Sequence, residues 1–114
     1  MGKINKCPWG SFEVLSEAPD HKVKRIVVEP DGCLSLQFHN KRSEHWFVVA
    51  GVGIAIVDGK KKYLHAGSSL DIPKKAKHRV QNSSGENLIF IEVQTGEYFG
   101  EDDIERLEDK YGRV

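Results

Sequence analysis

The feature that most constrains this chain is a hydrophobic alternation of period two, cut every few residues by a turn signal. A period of two puts successive side chains on opposite faces of an extended strand, and no helix can use it. Residues 12–15 and 23–28 read as strands, and Pro30-Asp31-Gly32 reads as a turn between strands. Residues 34–39 alternate strictly, residues 46–50 and 53–57 follow around Gly51, and Asp58-Gly59 marks a hairpin. Residues 70–72 run to Pro73, and residues 78–81 and 88–94 flank the turn Asn82-Ser83-Ser84-Gly85. Many short strands at close spacing predict an all-β sandwich or barrel. Only the C-terminus reads otherwise. Glu101, Asp102 and Asp103 could fill the first turn of a helix, with Ile104, Leu107 and Tyr111 as a narrow apolar stripe and Gly112 as the stop. A short C-terminal α-helix is therefore expected.

Size and charge narrow the function. A chain of 114 residues suits one domain, 1–114, and 17 Lys+Arg balance 17 Asp+Glu. That balance argues against nucleic-acid binding by bulk charge. No apolar run reaches a membrane span, and the N-terminus has no apolar signal region, so the expected compartment is the cytoplasm. In a reducing cytosol Cys7 and Cys33 are expected as free thiols.

The strand over residues 34–39 carries a functional hint. Leu34, Leu36 and Phe38 share one face, while Ser35, Gln37, His39 and, if the strand continues, Lys41 share the other. Either the polar face meets water or it lines a barrel interior. In the second case the apolar face needs cover from a terminal segment or a second subunit, and a homodimer is expected. Further along come Glu44, Gly51, Gly67, Pro73, His78 and Asn82. Imidazole and carboxylate donors suit a divalent metal, zinc or another transition metal.

These residues resemble the two motifs of the cupin family. The first is a Gly, a His-x-His pair, a Glu and a Gly six residues after it. The second reads Gly67-x5-Pro73-x-Lys75-x2-His78-x3-Asn82 here, with Lys75 where the motif has Gly. Over nearly the whole chain the sequence is similar to the C-terminal cupin domain of type II mannose-6-phosphate isomerases, a domain often fused to mannose-1-phosphate guanylyltransferase. Pro8-Trp9-Gly10-Ser11, Leu34-Ser35-Leu36-Gln37, Arg42-Ser43-Glu44-His45-Trp46 and the ending from Gly96-Glu97-Tyr98-Phe99-Gly100-Glu101-Asp102-Asp103-Ile104 to Tyr111-Gly112-Arg113 carry that resemblance.

The resemblance implies a double-stranded β-helix, or jelly-roll barrel. It also implies aldose–ketose isomerisation of mannose 6-phosphate and fructose 6-phosphate in polysaccharide precursor metabolism. It carries over His39, Glu44 and His78 as metal ligands and Arg42 as an essential charge. One ligand position departs: the second His of the pair is Lys41, an ammonium that cannot ligate a cation. Lys41 then either replaces the metal as electrophile or pairs with Glu44 in a dead site. Glu44 or a histidine is the candidate base. Gln37 and Glu92, with Gln94 in phase, are expected to line the cavity, and Lys74, Lys75 and Lys77 to guard its mouth. His45 should point to the opposite face, and Trp9 and Trp46 should be core or interface aromatics. No Gly-rich nucleotide loop is present, so nucleotidyl transfer is not expected of these residues. The rival reading is a non-catalytic sugar-phosphate binder or a partner subunit.

Overall fold

In the computed structural model, which describes residues 2–114, the chain is all-β. The strands are β1 (Ile4–Cys7), β2 (Gly10–Ala18), β3 (His21–Val28), β4 (Leu36–Phe38), β5 (Arg42–Ala50), β6 (Gly53–Val57), β7 (Lys60–Leu64), β8 (Ser69–Ile72), β9 (His78–Gln81), β10 (Leu88–Gly96) and β11 (Glu105–Glu108). They form two sheets in the orders β1-β2-β3-β10-β5-β8 and β11-β4-β9-β6-β7, with antiparallel pairing throughout. Among the described residues no helix is long and apolar enough to cross a membrane. Cys7 and Cys33 are free thiols.

The alternation expected from sequence sets which side chains face inward. In β3 the buried residues are Lys22, Lys24, Ile26 and Val28; in β10 they are Leu88, Phe90, Glu92 and Gln94; in β5 they are Arg42, Glu44, Trp46 and Val48. The register stacks these residues in layers. Val28 pairs with Leu88, Ile26 with Phe90 and Phe90 with Val48. One step along, Lys24 pairs with Glu92 and Glu92 with Trp46; a further step pairs Lys22 with Gln94 and Gln94 with Glu44. One inner face is thus apolar at one end and charged at the other. The apolar end, with Val80, Ala55 and Leu64 from the other strands, is the core, and Ile72, beside Glu44 in register, extends it. There the Trp46 and Phe90 rings stack at 4.4 Å between centroids. The charged end cannot close on itself in the same way, and it holds the cavity.

The C-terminus corrects the expectation of a helix. Residues 105–108 form β11, which pairs with β4 through Glu105–Phe38 and Arg106–Gln37. Three apolar residues spread over eight make a weak stripe, whereas β4 offers an open edge whose backbone groups need partners. The acids that would have opened the helix are used elsewhere. Glu101 takes the buried Lys22 and Lys24 ammoniums at 2.9 and 2.6 Å. The Asp103 carboxylate accepts the Asn40 and Lys41 backbone N–H groups at 3.0 and 2.9 Å. The same pairing covers the edge of β4 from within the chain; of its apolar face Leu34 is buried, while Leu36 and Phe38 are half-buried.

Candidate active site

A cavity of about 240 Å³ lies between the sheets at the charged end, and His39, Glu44, Gln37, Glu92 and Arg42 line it. His39, Glu44 and His78 come from three separate stretches, yet one ligand atom from each lies within 4.8 Å of the others. Glu44 sits on β5 and His78 on β9; His39 follows β4, and its carbonyl accepts the Lys75 N–H at 2.7 Å. All three side chains are buried.

Both histidines have their ring hydrogens placed by the backbone. His39 Nδ1 lies 2.7 Å from the Asp103 carbonyl and His78 Nδ1 lies 2.9 Å from the Ala76 carbonyl. A carbonyl oxygen only accepts, so each Nδ1 donates, and each ring turns its Nε2 toward the site. Burial pushes the His39 pKa down, with Arg42 adding to the effect and Glu44 opposing it, so the neutral form prevails. His78 Nε2 is buried and has no hydrogen-bond partner. Two oriented imidazole lone pairs and a carboxylate are a chemically sound donor set for zinc or a similar transition metal.

Glu44 is the hub. Its Oε1 accepts the Trp46 indole N–H at 2.9 Å; its Oε2 accepts Arg42 Nε–H at 3.0 Å and lies 2.9 Å from Nη2 in the same ion pair. Burial alone would raise its pKa, but Arg42, His39 and His78 more than offset this and hold it at about 2. Glu92, on β10 beside it, behaves oppositely: burial and then the Glu44 charge push it up to about 8. Gln94 donates to Glu92 at 2.7 Å. Two carboxyls within one cavity therefore hold different protonation states at neutral pH.

The other residues singled out in the sequence divide clearly. Gln37 lines the cavity and its amide oxygen accepts from Ser35. Lys41 does not enter: it is exposed, with Nζ 5.1 Å from the Tyr98 ring centroid, so it neither replaces a metal nor pairs with Glu44. Lys75 and Lys77 are also exposed and are not cavity walls; the Lys77 N–H donates to Asp58. Lys75 has φ of 67°, a left-handed backbone that glycine adopts freely, which accounts for the Gly of the motif at this place. His45 points outward and bonds Asp71 at 2.6 Å. Asn82 ties the strand connection together through the Val28 and Glu86 carbonyls and stays outside the site.

Lys24, Arg106 and Arg113 complete the cavity wall on the C-terminal side, with Glu101 among them. None was singled out from the sequence. For Lys24 a signal existed: Lys22 and Lys24 share their phase with Ile26 and Val28, so they had to face inward. For Arg106 and Arg113 the expected helix hid the arrangement.

Two antiparallel sheets enclosing a His/Glu/His cavity define a double-stranded β-helix protein of the cupin class. An uncharacterised conserved protein with a double-stranded β-helix domain from Klebsiella pneumoniae shares this fold, with a TM-score of 0.75 and 21% identity over 95% of this chain and 87% of that one. The chain belongs to the family described as mannose-6-phosphate isomerase C-terminal, whose profile matches residues 3–109. Among curated relatives, a mannose-1-phosphate guanylyltransferase of Klebsiella pneumoniae is 43% identical over 106 residues. The alginate biosynthesis protein AlgA of Pseudomonas syringae is 47% identical over the same length. Each alignment spans 93% of this chain but 22% of the relative.

Proposed function

We propose that the cavity interconverts mannose 6-phosphate and fructose 6-phosphate. The observation that carries this reading is the pair Glu44 and Glu92, one carboxyl held at about 2 and the other raised to about 8, in a cavity with cationic walls. The isomerisation moves a proton between C2 and C1 of the open sugar through an enediolate. That needs a group titrating near neutrality to carry the proton, and positive charge at the oxygens. Glu92 meets the first need, because its ionised form takes the C2 proton and its neutral form returns it to C1. Arg42 meets the second, since its Nη1 is buried without a partner. Glu44 keeps its charge throughout and holds Arg42 while no ion occupies the site. A divalent metal held by His39, Glu44 and His78 would supply a Lewis acid for the sugar oxygens. Arg106, whose Nε is also unpartnered, with Lys24 and Arg113, gives the phosphate a cationic wall. The cytoplasm, where sugar phosphates occur and thiols stay reduced, is the fitting compartment.

The test is turnover of mannose 6-phosphate by the purified protein, coupled to detection of fructose 6-phosphate, with and without chelator. Turnover that falls by orders of magnitude in Glu92→Gln supports the reading, and absence of turnover with every divalent metal added overturns it. A second reading, a sugar-phosphate binder or partner subunit without catalysis, is favoured by Arg42 lying across Glu44 and His39. It requires sugar-phosphate binding without turnover.

A homodimer also fits the surface. Phe47 and Val49 on the outer face of β5 are 48% and 50% exposed, and Ile91 of β10 pairs beside Phe47. Such a face is well suited to a two-fold interface. Sedimentation of the protein and of Phe47→Glu tests this: a dimer that the substitution dissociates supports it, and a wild-type monomer at micromolar concentration refutes it.

A further inference from the structure

Arg42 lies where a metal ion would have to bond. Its Nη2 is 2.9 Å from Glu44 Oε2 and 3.3 Å from His39 Nε2. Those two acceptor atoms are themselves 3.2 Å apart. His39 Nδ1 faces the Asp103 carbonyl, so its Nε2 and Glu44 Oε2 converge on one point, and a cation sits against both. The guanidinium is that cation. It bridges two of the three donor atoms, leaving the third, His78 Nε2, without a partner.

We propose that Arg42 is an internal competitor for the metal, so that ion binding and the Arg42–Glu44–His39 contact exclude one another. The inference rests on reading His39, Glu44 and His78 as donors. Its physical basis is that one lone pair cannot serve an N–H and a metal at once, and that two cations in one buried site repel. When an ion binds, the guanidinium leaves Glu44 Oε2 and His39 Nε2 and turns toward the cavity it already lines. Lys41 sharpens the competition. It takes its own charge out to Tyr98 and supplies no further ligand, so the ion must displace Arg42 with three protein donors only.

The experiment is a calorimetric titration with Zn²⁺ of wild type, Arg42→Met and His78→Ala. Arg42→Met removes the charge while keeping an unbranched apolar stem, and it should bind Zn²⁺ more tightly than wild type by on the order of tenfold or more. His78→Ala should lose most of the affinity. Equal affinity in wild type and Arg42→Met overturns the competition. No binding to either overturns the donor set itself, which separates the two failures. Because Arg42→Met leaves a buried carboxylate with one partner fewer and can unfold, a second measurement uses wild type alone. The Arg42 Nε–H resonance, held against Glu44 at 3.0 Å, should shift or vanish as Zn²⁺ saturates the site. A resonance unchanged at saturation means that ion and guanidinium coexist, and the proposal fails.

Discussion

The indole N–H of Trp46 donates to Glu44 Oε1 at 2.9 Å, while the Trp46 ring stacks on Phe90 in the core. One side chain thus belongs to the apolar end of the sheet by its ring and to the site by its nitrogen. Trp46→Phe keeps most of the ring and deletes the donor. A buried charged acceptor then loses one of its partners, and the cost should be about 1–3 kcal/mol in urea unfolding. Under the proposed function, turnover of mannose 6-phosphate should fall in parallel, because Glu44 loses a bond that fixes its orientation. A change below about 0.3 kcal/mol in stability would show that the bond contributes nothing.

Glu92 makes stability depend on pH in an unusual direction. Its folded pKa, about 8, lies above the ordinary value of 4.5. Below about pH 4 both states hold the proton and the group is neutral to stability. Between about 4.5 and 8 the unfolded chain ionises while the folded one does not, so stability is lost as pH rises, by at most about 1.4 kcal/mol per pH unit. Glu92→Gln abolishes the titration. Its melting temperature should therefore gain on wild type steadily from about pH 5 to about pH 8. A constant difference across that window would contradict the raised pKa.

Glu44 has the opposite sign. Its pKa is held at about 2, below the ordinary 4.5, so its contribution is present above pH 4.5 and is lost as the pH falls toward 2. Acid unfolding followed by circular dichroism should have a large component in this window, and Glu44→Gln should remove it.

Lys75 sits in a left-handed conformation with its side chain in solvent, and its N–H holds the His39 carbonyl. Lys75→Gly removes the steric cost of that conformation at some cost in unfolded-state entropy. A net gain of about 0.5 kcal/mol is expected, with turnover unchanged within twofold. A loss of stability would mean that the lysine stem contributes packing on the surface.

Lys41→Ala should leave turnover within twofold, because the ammonium is outside the cavity, over Tyr98. Stability should change by less than about 1 kcal/mol, the usual worth of an exposed cation–π contact. A tenfold loss of activity would require Lys41 to turn inward when substrate binds.

Alternation made much of this legible beforehand. Residues 53–57 and 78–81 match β6 and β9 end to end, and the phases of β5 and β10 put Glu44, Glu92 and Gln94 inside and His45 outside. Three things were not legible. Strand β1, with Asn5 and Lys6 between Ile4 and Cys7, has too little alternation to announce itself and exists by pairing with β2. The inward direction of Arg42 instead of Lys41 depends on where β5 begins, and the Asp103 carboxylate sets this by binding the two N–H groups just before it. The acids of residues 101–103 satisfy helix rules locally, and only contacts with residues far back in the chain reveal their use.

The wall supplied by residues 101–113 also has a consequence for folding order. Glu105 meets Phe38 and Glu101 meets Lys22 across sequence separations of more than half the chain. Loops of that length close late, after the β2–β3 and β6–β7 hairpins have formed through short connections. The hairpins can therefore be in place while the cavity is still an open trough, with Lys22 and Lys24 in water and His39 Nδ1 without the Asp103 carbonyl. In a refolding time course, tryptophan burial against Phe90 should lead and competence to bind at the site should lag, so this chain acquires its chemistry as the last event of its own folding.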